Sequence, residues 1–322
     1  MKQTTFTLLL FCVIGLLSCR KNSIQPDIKQ YDQQQITNYI KSQGITGMVR
    51  DTVGGDTTGI YYQILTPGNT AHRLQYPSQI SLVYTVQTFD GTYISADTIN
   101  NHFYDYLGHI STDNLPLGLQ TAIINDLKYS GGRMRVLIPS HLAYGVNGTG
   151  SGSSQVANSR IGGNECLDYY VNIVDNQAAY DSISIAKYMA ANAMTGYTRI
   201  TDNADAYGTY YKVLTAPTSN DYINFNSTLT YYNTGQILNG VIFSDQNATV
   251  SVPSDVNGLV AGVQSAMIES QSSVGSKISI LIPSKGGYGT ASQTAANQYG
   301  QSVTVPANSV LRFTFVIATV TP

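Results

Sequence analysis

An internal duplication limits what this 322-residue chain can fold into. Gly59-Ile60-Tyr61-Tyr62-Gln63-Ile64-Leu65-Thr66 returns 149 positions later as Gly208-Thr209-Tyr210-Tyr211-Lys212-Val213-Leu214-Thr215. Tyr31-Asp32 with Ile36, Tyr39 and Ile40 returns at the same offset as Tyr180-Asp181 with Ile185, Tyr188 and Met189. Further on, Val136-Leu137-Ile138-Pro139-Ser140 matches Ile280-Leu281-Ile282-Pro283-Ser284, and Tyr144-Gly145 matches Tyr288-Gly289, now 144 positions apart. Matches held in order over that distance, with only loop lengths changed, indicate a duplicated module rather than one large core. The length suits two domains, each long enough to bury a core.

Within a copy, the apolar spacing changes from helical to alternating. Ile36, Tyr39 and Ile40 lie on one face of a helix, and Asp32 and Asp181 sit where helix starts favour acids. This helix is expected to dock on its own module. Ile80 to Val86 then alternates with period two, and Asp90-Gly91 signals a tight turn. Arg133–Ile138 and Asp168–Val174 read as further strands, the last matched by Arg312–Ile317. Between them, Leu119, Ile123, Ile124 and Leu127 keep a helical period, as do Val263, Met267 and Ile268. Composition agrees with a sheet-rich fold: 24 Tyr, 29 Gly and no Trp. The expected class is α+β, an antiparallel sheet with one packed helix per module. The glycine-rich stretch 145–159 lies between strands and lacks a phosphate-binding Lys, so a flexible surface loop is expected there.

The first nineteen residues read as a targeting signal: Lys2, an apolar run from Phe6 to Leu17, then Leu16-Leu17-Ser18-Cys19. That ending resembles a lipobox, which implies cleavage before Cys19 and acylation of its thiol, anchoring the chain to a membrane surface. Cys12 would leave with the signal. Only Cys166 of the three cysteines would then remain free, which leaves no intrachain disulfide. Seventeen basic against nineteen acidic residues give no basic stripe, so nucleic acid is an unexpected partner. The four histidines show no ligand spacing, and neither metal nor cofactor is expected.

The ordered motifs resemble FKBP-type peptidyl-prolyl isomerases over roughly 59–174 and 208–320. The most specific stretches are Ile138-Pro139-Ser140-His141-Leu142-Ala143-Tyr144-Gly145 and Val305-Pro306-Ala307-Asn308-Ser309-Val310-Leu311-Arg312-Phe313. The resemblance implies two FKBP-like modules, each a curved antiparallel sheet wrapped on a short helix and preceded by a short N-terminal helix. It divides the chain into a signal (1–19), a linker with a short helix (20–58), domain 1 (59–175), a second linker with a helix (176–207) and domain 2 (208–322). It also implies a proline pocket between sheet and helix. In the first copy that pocket maps to Tyr84, Ile94 with Ser95, Phe103, Leu115 and Pro116, Leu119 at the floor, Tyr144, and Ile161 with Tyr169. In the second it maps to Tyr231 or Tyr232, Phe243 with Ser244, Leu259 and Val260, Val263 at the floor, Tyr288, Val305 and Phe313.

Two departures bear on activity. The family's pocket Asp is Ser in both copies, unless Asp245 takes the place by a one-residue shift, and the floor aromatic is aliphatic in both. The first copy also has Gly162-Gly163 where the family has Pro-Pro. The second keeps Phe243, Pro306 and Phe313, which marks it as the better candidate pocket. The resemblance implies a prolyl isomerase acting on Xaa-Pro segments of exported or unfolded proteins. Its setting would be the cell envelope, as an outer-membrane lipoprotein facing the periplasm or the cell surface. The alternatives are a binding or chaperone-like lipoprotein that has lost turnover, and a Tyr-rich surface assembly module.

Overall fold

The computed structural model describes residues 27–55, 57–112, 115–153, 156–246, 250–296 and 300–322. The expected signal and Cys19 lie outside these residues. Two seven-stranded antiparallel sheets share one topology.

The first module starts with helix α1 (Ile28–Ser42) and strands β1 (Val49–Arg50), β2 (Tyr61–Thr66), β3 (Gln79–Thr88), β4 (Ile94–Ser95) and β5 (His102–Tyr106). Helix α2 (Leu117–Ala122) follows and runs on into a wider π-type turn (Ile123–Leu127). Strand β6 (Arg133–Ile138), a ribbon of β7 (Thr149–Gly150) and β8 (Arg160–Ile161), and β9 (Leu167–Val174) complete it. The sheet order is β1-β2-β6-β9-β3-β4, with β5 also paired to β3.

The second module repeats this with α3 (Gln177–Ala191), β10 (Thr198–Arg199), β11 (Tyr210–Thr215), β12 (Thr228–Ile237), β13 (Ile242–Asp245) and β14 (Ser254–Asp255). Helix α4 (Ala261–Glu269), β15 (Lys277–Ile282), a ribbon of β16 (Gln293–Ala296) and β17 (Ser302–Val305), and β18 (Leu311–Thr321) follow. Its order is β10-β11-β15-β18-β12-β13, with β14 on β12.

Each sheet buries one face against its short helix. Leu119, Ile123 and Leu127 enter the first core, and Val263 and Met267 the second. The helices lie close to the sheet because both carry glycine at the contact. A Cβ at Gly118 would collide with Ile138 Cγ2, and one at Gly262 with Ile282 Cγ2.

The opposite face of each sheet carries the N-terminal helix. Ile36 and Tyr39 pack with Leu137 and Cys166, and Ile185 packs with Leu281 and Val310. These helices and the strands β1 and β10 fall in the segments expected as linkers, yet β1 pairs with β2 and β10 with β11. The described helix and strand residues of these segments therefore pack and pair with their modules.

Asp32 and Asp181 differ from expectation in the same way. They are interior helix residues, each 1% exposed, rather than first-turn acids. Asp32 accepts from Ser140 Oγ (2.7 Å) and from the His141 backbone N–H (3.1 Å). Asp181 accepts from the N–H and Oγ of Ser284 (2.8 and 2.6 Å). Each carboxylate thus fastens the Ile-Pro-Ser corner of its module to its helix, and both copies carry the same Asp–Ser pair. Among the described residues, no helix is long and apolar enough to cross a membrane.

Candidate functional site

The alternation of β3 turns Tyr84 and Val86 to the core side of the first sheet, where Val86 pairs across the ladder with Tyr169 of β9. These residues form one side of a cavity of about 370 Å³. Phe103 from β5 and Leu115, just ahead of α2, form another. Tyr144 enters from the corner after β6, and Ile161 from the β7–β8 ribbon. Of the residues mapped to the first pocket, Tyr84, Phe103, Leu115, Tyr144, Ile161 and Tyr169 are brought together around this cavity. Ile94, Pro116 and Leu119 stand outside its wall: Ile94 is 49% exposed on β4, Pro116 caps α2, and Leu119 is wholly buried in the core. Ser95, at the family's Asp position, bonds with Asn101 (Oγ to Oδ1 3.0 Å; Asn101 Nδ2 to Ser95 O 3.1 Å).

Phenols dominate the cavity. The Tyr84 and Tyr169 rings lie 5.6 Å apart at 46°. The Tyr169 and Tyr144 hydroxyls are hydrogen-bonded to each other, and both side chains stand near Tyr93. Burial above all, then the neighbouring Tyr144 and Tyr93, push the Tyr84 phenol up to about 12. Burial also raises Tyr144, and it holds Tyr169 well above the ordinary phenol value. All three therefore stay protonated at neutral pH, as neutral hydrogen-bonding groups lining the cavity. Burial pulls the His102 imidazole down to about 4, so it is neutral as well.

Residue reading missed Val86, Tyr93, Asn101, His102 and Arg160 in this wall. Val86 was recoverable from the Tyr84 alternation. The others depend on where the β3–β4 turn (Tyr93), the β4–β5 loop and start of β5 (Asn101, His102) and the ribbon (Arg160) land. The stretch expected as a flexible surface loop is in part that ribbon: Thr149 pairs with Ile161 and Gly150 with Arg160. Its strand pairing turns a polar, glycine-rich segment into a pocket wall.

In the second module the same positions pack against one another. Phe243 is 2% exposed and its ring lies 5.5 Å from Phe313 (89°) and 6.0 Å from Tyr288 (67°). Phe313 in turn stacks on Phe315 at 5.4 Å. Two local features admit these rings. Gly235 faces Phe313 across the ladder where the first module pairs Val86 with Tyr169. A Cβ on Gly235 would sit 2.5 Å from Phe313 Cε1 and 3.0 Å from Phe243 Cζ. The β12–β13 pairing also bulges between Gly235 and Gln236, placing Phe243 in the core where Ile94 of the first module faces solvent.

The register left open for the second tyrosine resolves by face. Tyr231 points inward, 5.1 Å from Phe315, while Tyr232 lies on the outer face beside Lys277 and Arg312. Asn233 holds the ladder position of Tyr84, since it pairs with Phe315 as Tyr84 pairs with Val171. Val263 and Val305 are buried in this core, and Leu259 and Val260 are packed against it. Expected as the better pocket, the second module has its candidate aromatics in mutual contact, whereas those of the first surround open space. Among the described residues, no group of three or more His, Cys, Asp or Glu is placed to hold a metal ion.

No family-wide sequence profile matches the chain. It is 26% identical over 260 residues to the mouse peptidyl-prolyl cis-trans isomerase FKBP9, covering 80% of this chain and 37% of that protein. It is 33% identical over 104 residues to mouse FKBP10, covering 32% of this chain and 16% of the relative. The chain thus spans well under half the length of either. Among solved structures it is similar to the three FKBP domains of wheat FKBP73 (TM-score 0.33, 16% identity, 86% of this chain and 99% of that one). It is also similar to FkpA of Escherichia coli (TM-score 0.34, 18% identity, 54% and 72%). Its curated relatives are FKBP-type peptidyl-prolyl isomerases, the family its repeated motif resembles.

Proposed function

We propose that this chain, whose relatives are FKBP-type peptidyl-prolyl isomerases, accelerates Xaa-Pro isomerisation in exported proteins and does so in its first module. The observation that carries this reading is the cavity of about 370 Å³ in which Tyr84, Tyr144 and Tyr169 meet Val86, Phe103 and Ile161. Rotation about Xaa-Pro needs no nucleophile, metal or general base. The barrier is amide resonance, about 18–20 kcal/mol, and uncatalysed exchange takes tens to hundreds of seconds. An apolar wall that takes the proline ring out of water disfavours the planar, more polar amide. Protonated phenols can hold the substrate carbonyl while the C–N bond turns. A thousandfold acceleration requires only about 4 kcal/mol, within reach of such contacts. Serine at the family's Asp position still donates and accepts hydrogen bonds, so its presence is compatible with turnover.

A second reading applies to the second module alone. Phe243 and Phe313 occupy the space beside Tyr288, which favours a binding or scaffolding role without turnover there. The proposed setting is the cell envelope, with Cys19 acylated and Xaa-Pro segments of exported chains as partners.

The test is NMR exchange spectroscopy on an Ala-Xaa-Pro-Phe peptide with the chain lacking its first nineteen residues. Acceleration that falls at least tenfold in Tyr84→Phe/Tyr144→Phe and persists in Tyr288→Ala/Phe313→Ala supports first-module catalysis. Loss only in the latter pair places catalysis in the second module. No acceleration by the folded protein would sink the isomerase reading.

A further inference from the structure

Among the described residues that line the first module's cavity, Arg160 is the one charged side chain, and neither Asp nor Glu contributes. Burial holds the Tyr84, Tyr144 and Tyr169 phenols protonated and the His102 imidazole neutral. The carboxylate that the family resemblance placed here is Ser95, whose hydroxyl is engaged by Asn101. Among the described residues no acid pairs with Arg160. Its Nη2 donates to the Asn147 carbonyl at 2.7 Å, and its Nε is buried with no acceptor. A guanidinium set among neutral phenols in this cavity is complementary to a planar carboxylate and disfavours a second cation.

The ribbon makes this feature a property of one module. Arg160 faces Gly150 across β7–β8, and a Cβ on Gly150 would lie 3.1 Å from Arg160 Cα and Cβ. In the second module the matching pair, read from the parallel registers Thr149↔Ile161 and Gln293↔Val305, is Thr294↔Thr304. Neither residue there is charged.

We infer that Arg160 makes the first module selective for Xaa-Pro segments with an acidic residue flanking the proline, the carboxylate binding the guanidinium while the proline enters the tyrosine-lined cavity. This rests on the proposed proline-binding role of the same cavity. Arg160 acts as a specificity-determining residue and takes no part in the bond rotation.

The test uses peptides with blocked termini, so that one side chain supplies the sole carboxylate: Ala-Glu-Pro-Phe and Ala-Ala-Pro-Glu, each against its glutamine counterpart. Chemical-shift titration gives Kd and exchange spectroscopy gives the isomerisation rate, for the chain lacking its first nineteen residues and for Arg160→Gln and Arg160→Lys. At low salt the native chain should prefer at least one glutamate peptide about tenfold in Kd, with the preference shrinking as salt rises. Arg160→Gln should bring the ratio to about one, and Arg160→Lys should keep part of it. Equal affinity for glutamate and glutamine peptides in the native chain overturns the inference, as does a preference that survives Arg160→Gln. Turnover without glutamate preference removes only Arg160's role. Glutamate-selective binding without turnover removes only the isomerase reading. No binding of any peptide removes both.

Discussion

Ser81 Oγ donates to Gln177 Oε1 at 3.1 Å, joining β3 of the first module to the first residue of helix α3, which leads into the second. With the Ser81 proton committed to Gln177, His102 Nε2 carries its own proton and donates to Ser81 at 2.9 Å. Gln177 Nε2 donates to Asp181 (2.7 Å), whose other oxygen holds Ser284. One series of hydrogen bonds therefore runs from the wall of the first cavity to the Ile-Pro-Ser corner of the second module. Asn239 adds a bond to Asp97 (2.7 Å), and Ile99 packs against the second core. A cavity of about 320 Å³ lies beside this contact.

Gln177→Ala should loosen that connection. The substitution removes two hydrogen bonds and leaves Ser81 short of an acceptor, a loss of about 1–2 kcal/mol. Calorimetry should then resolve two transitions further apart than in the native chain. A superimposable thermogram would mean that the modules are coupled by other contacts.

Acid should weaken the same region through His102. Its folded pKa of about 4 lies below the ordinary 6.5, so the unfolded chain binds the extra proton between those values. The contribution is complete above pH 6.5 and is lost as pH falls toward 4, by up to about 3 kcal/mol. Urea midpoints measured from pH 7.5 to 4 should fall less steeply in His102→Gln.

Asp126 has the opposite sign. Burial, then the nearby Asp51, raises its carboxyl from 3.8 to about 7, and Oδ2 is buried without a partner. The folded state holds this proton more tightly, so stability is greatest below pH 3.8 and is lost as pH rises to 7. Asp126→Asn should remove that slope and raise stability at pH 8 by about 1 kcal/mol, allowing for solvent screening of a half-exposed group. Chemical denaturation of both proteins at pH 5 and pH 8 checks it.

The second core should be intolerant of a side chain at Gly235. Even Gly235→Ala introduces a Cβ against Phe313 and Phe243, with an overpacking cost of about 1–3 kcal/mol. Val86, its counterpart, accepts Val86→Ala at a cost of similar size by the reverse effect, lost packing. Methyl and aromatic NMR spectra would show the first change confined to the second module and the other to the first.

Breaking one buried ion pair should destabilise the first module strongly. Arg135 grips Asp168 through Nε (3.0 Å) and Nη2 (2.6 Å), and Tyr39 donates to the same carboxylate (3.0 Å). Asp168→Asn leaves the guanidinium partly buried without its counter-ion, at a cost of about 3–5 kcal/mol. A denaturation midpoint within error of the native value would contradict this. In the second module Arg312 stands at the Asp168 position and donates to Tyr188 at 2.9 Å. The tyrosine hydroxyl serves both modules because it can donate or accept.

Much of this architecture was legible in the residues. The repeat offset, the alternation of β3 and β9, and the helical spacing of Leu119, Ile123 and Leu127 are local patterns, and each identifies an element and its buried face. Six of the residues mapped to the first pocket by analogy of motif lie around one cavity, carried there by strand alternation (Tyr84, Phe103, Tyr169), by the β7–β8 ribbon (Ile161) and by the segments before α2 and after β6 (Leu115, Tyr144). Strand β7 falls in the 145–159 stretch expected as loop, because a two-residue pairing of Thr and Gly has no periodicity to detect.

What local pattern cannot carry is register, volume and long-range charge. Nothing in the residue order says that a bulge at Gly235 turns Phe243 inward, or that a glycine there leaves room for two rings. Asp32 and Asp181 looked like helix-start acids because their proximity to helix onset is local, whereas the serines they hold are more than a hundred positions away. By itself, the sequence determined two modules, their class and the inward faces of their strands, since these follow from backbone periodicity. Tertiary structure alone decided that the first module's aromatics surround a cavity lined by Arg160 while Phe243, Phe313 and Tyr288 pack on one another, because both depend on how side chains distant in the chain share one space.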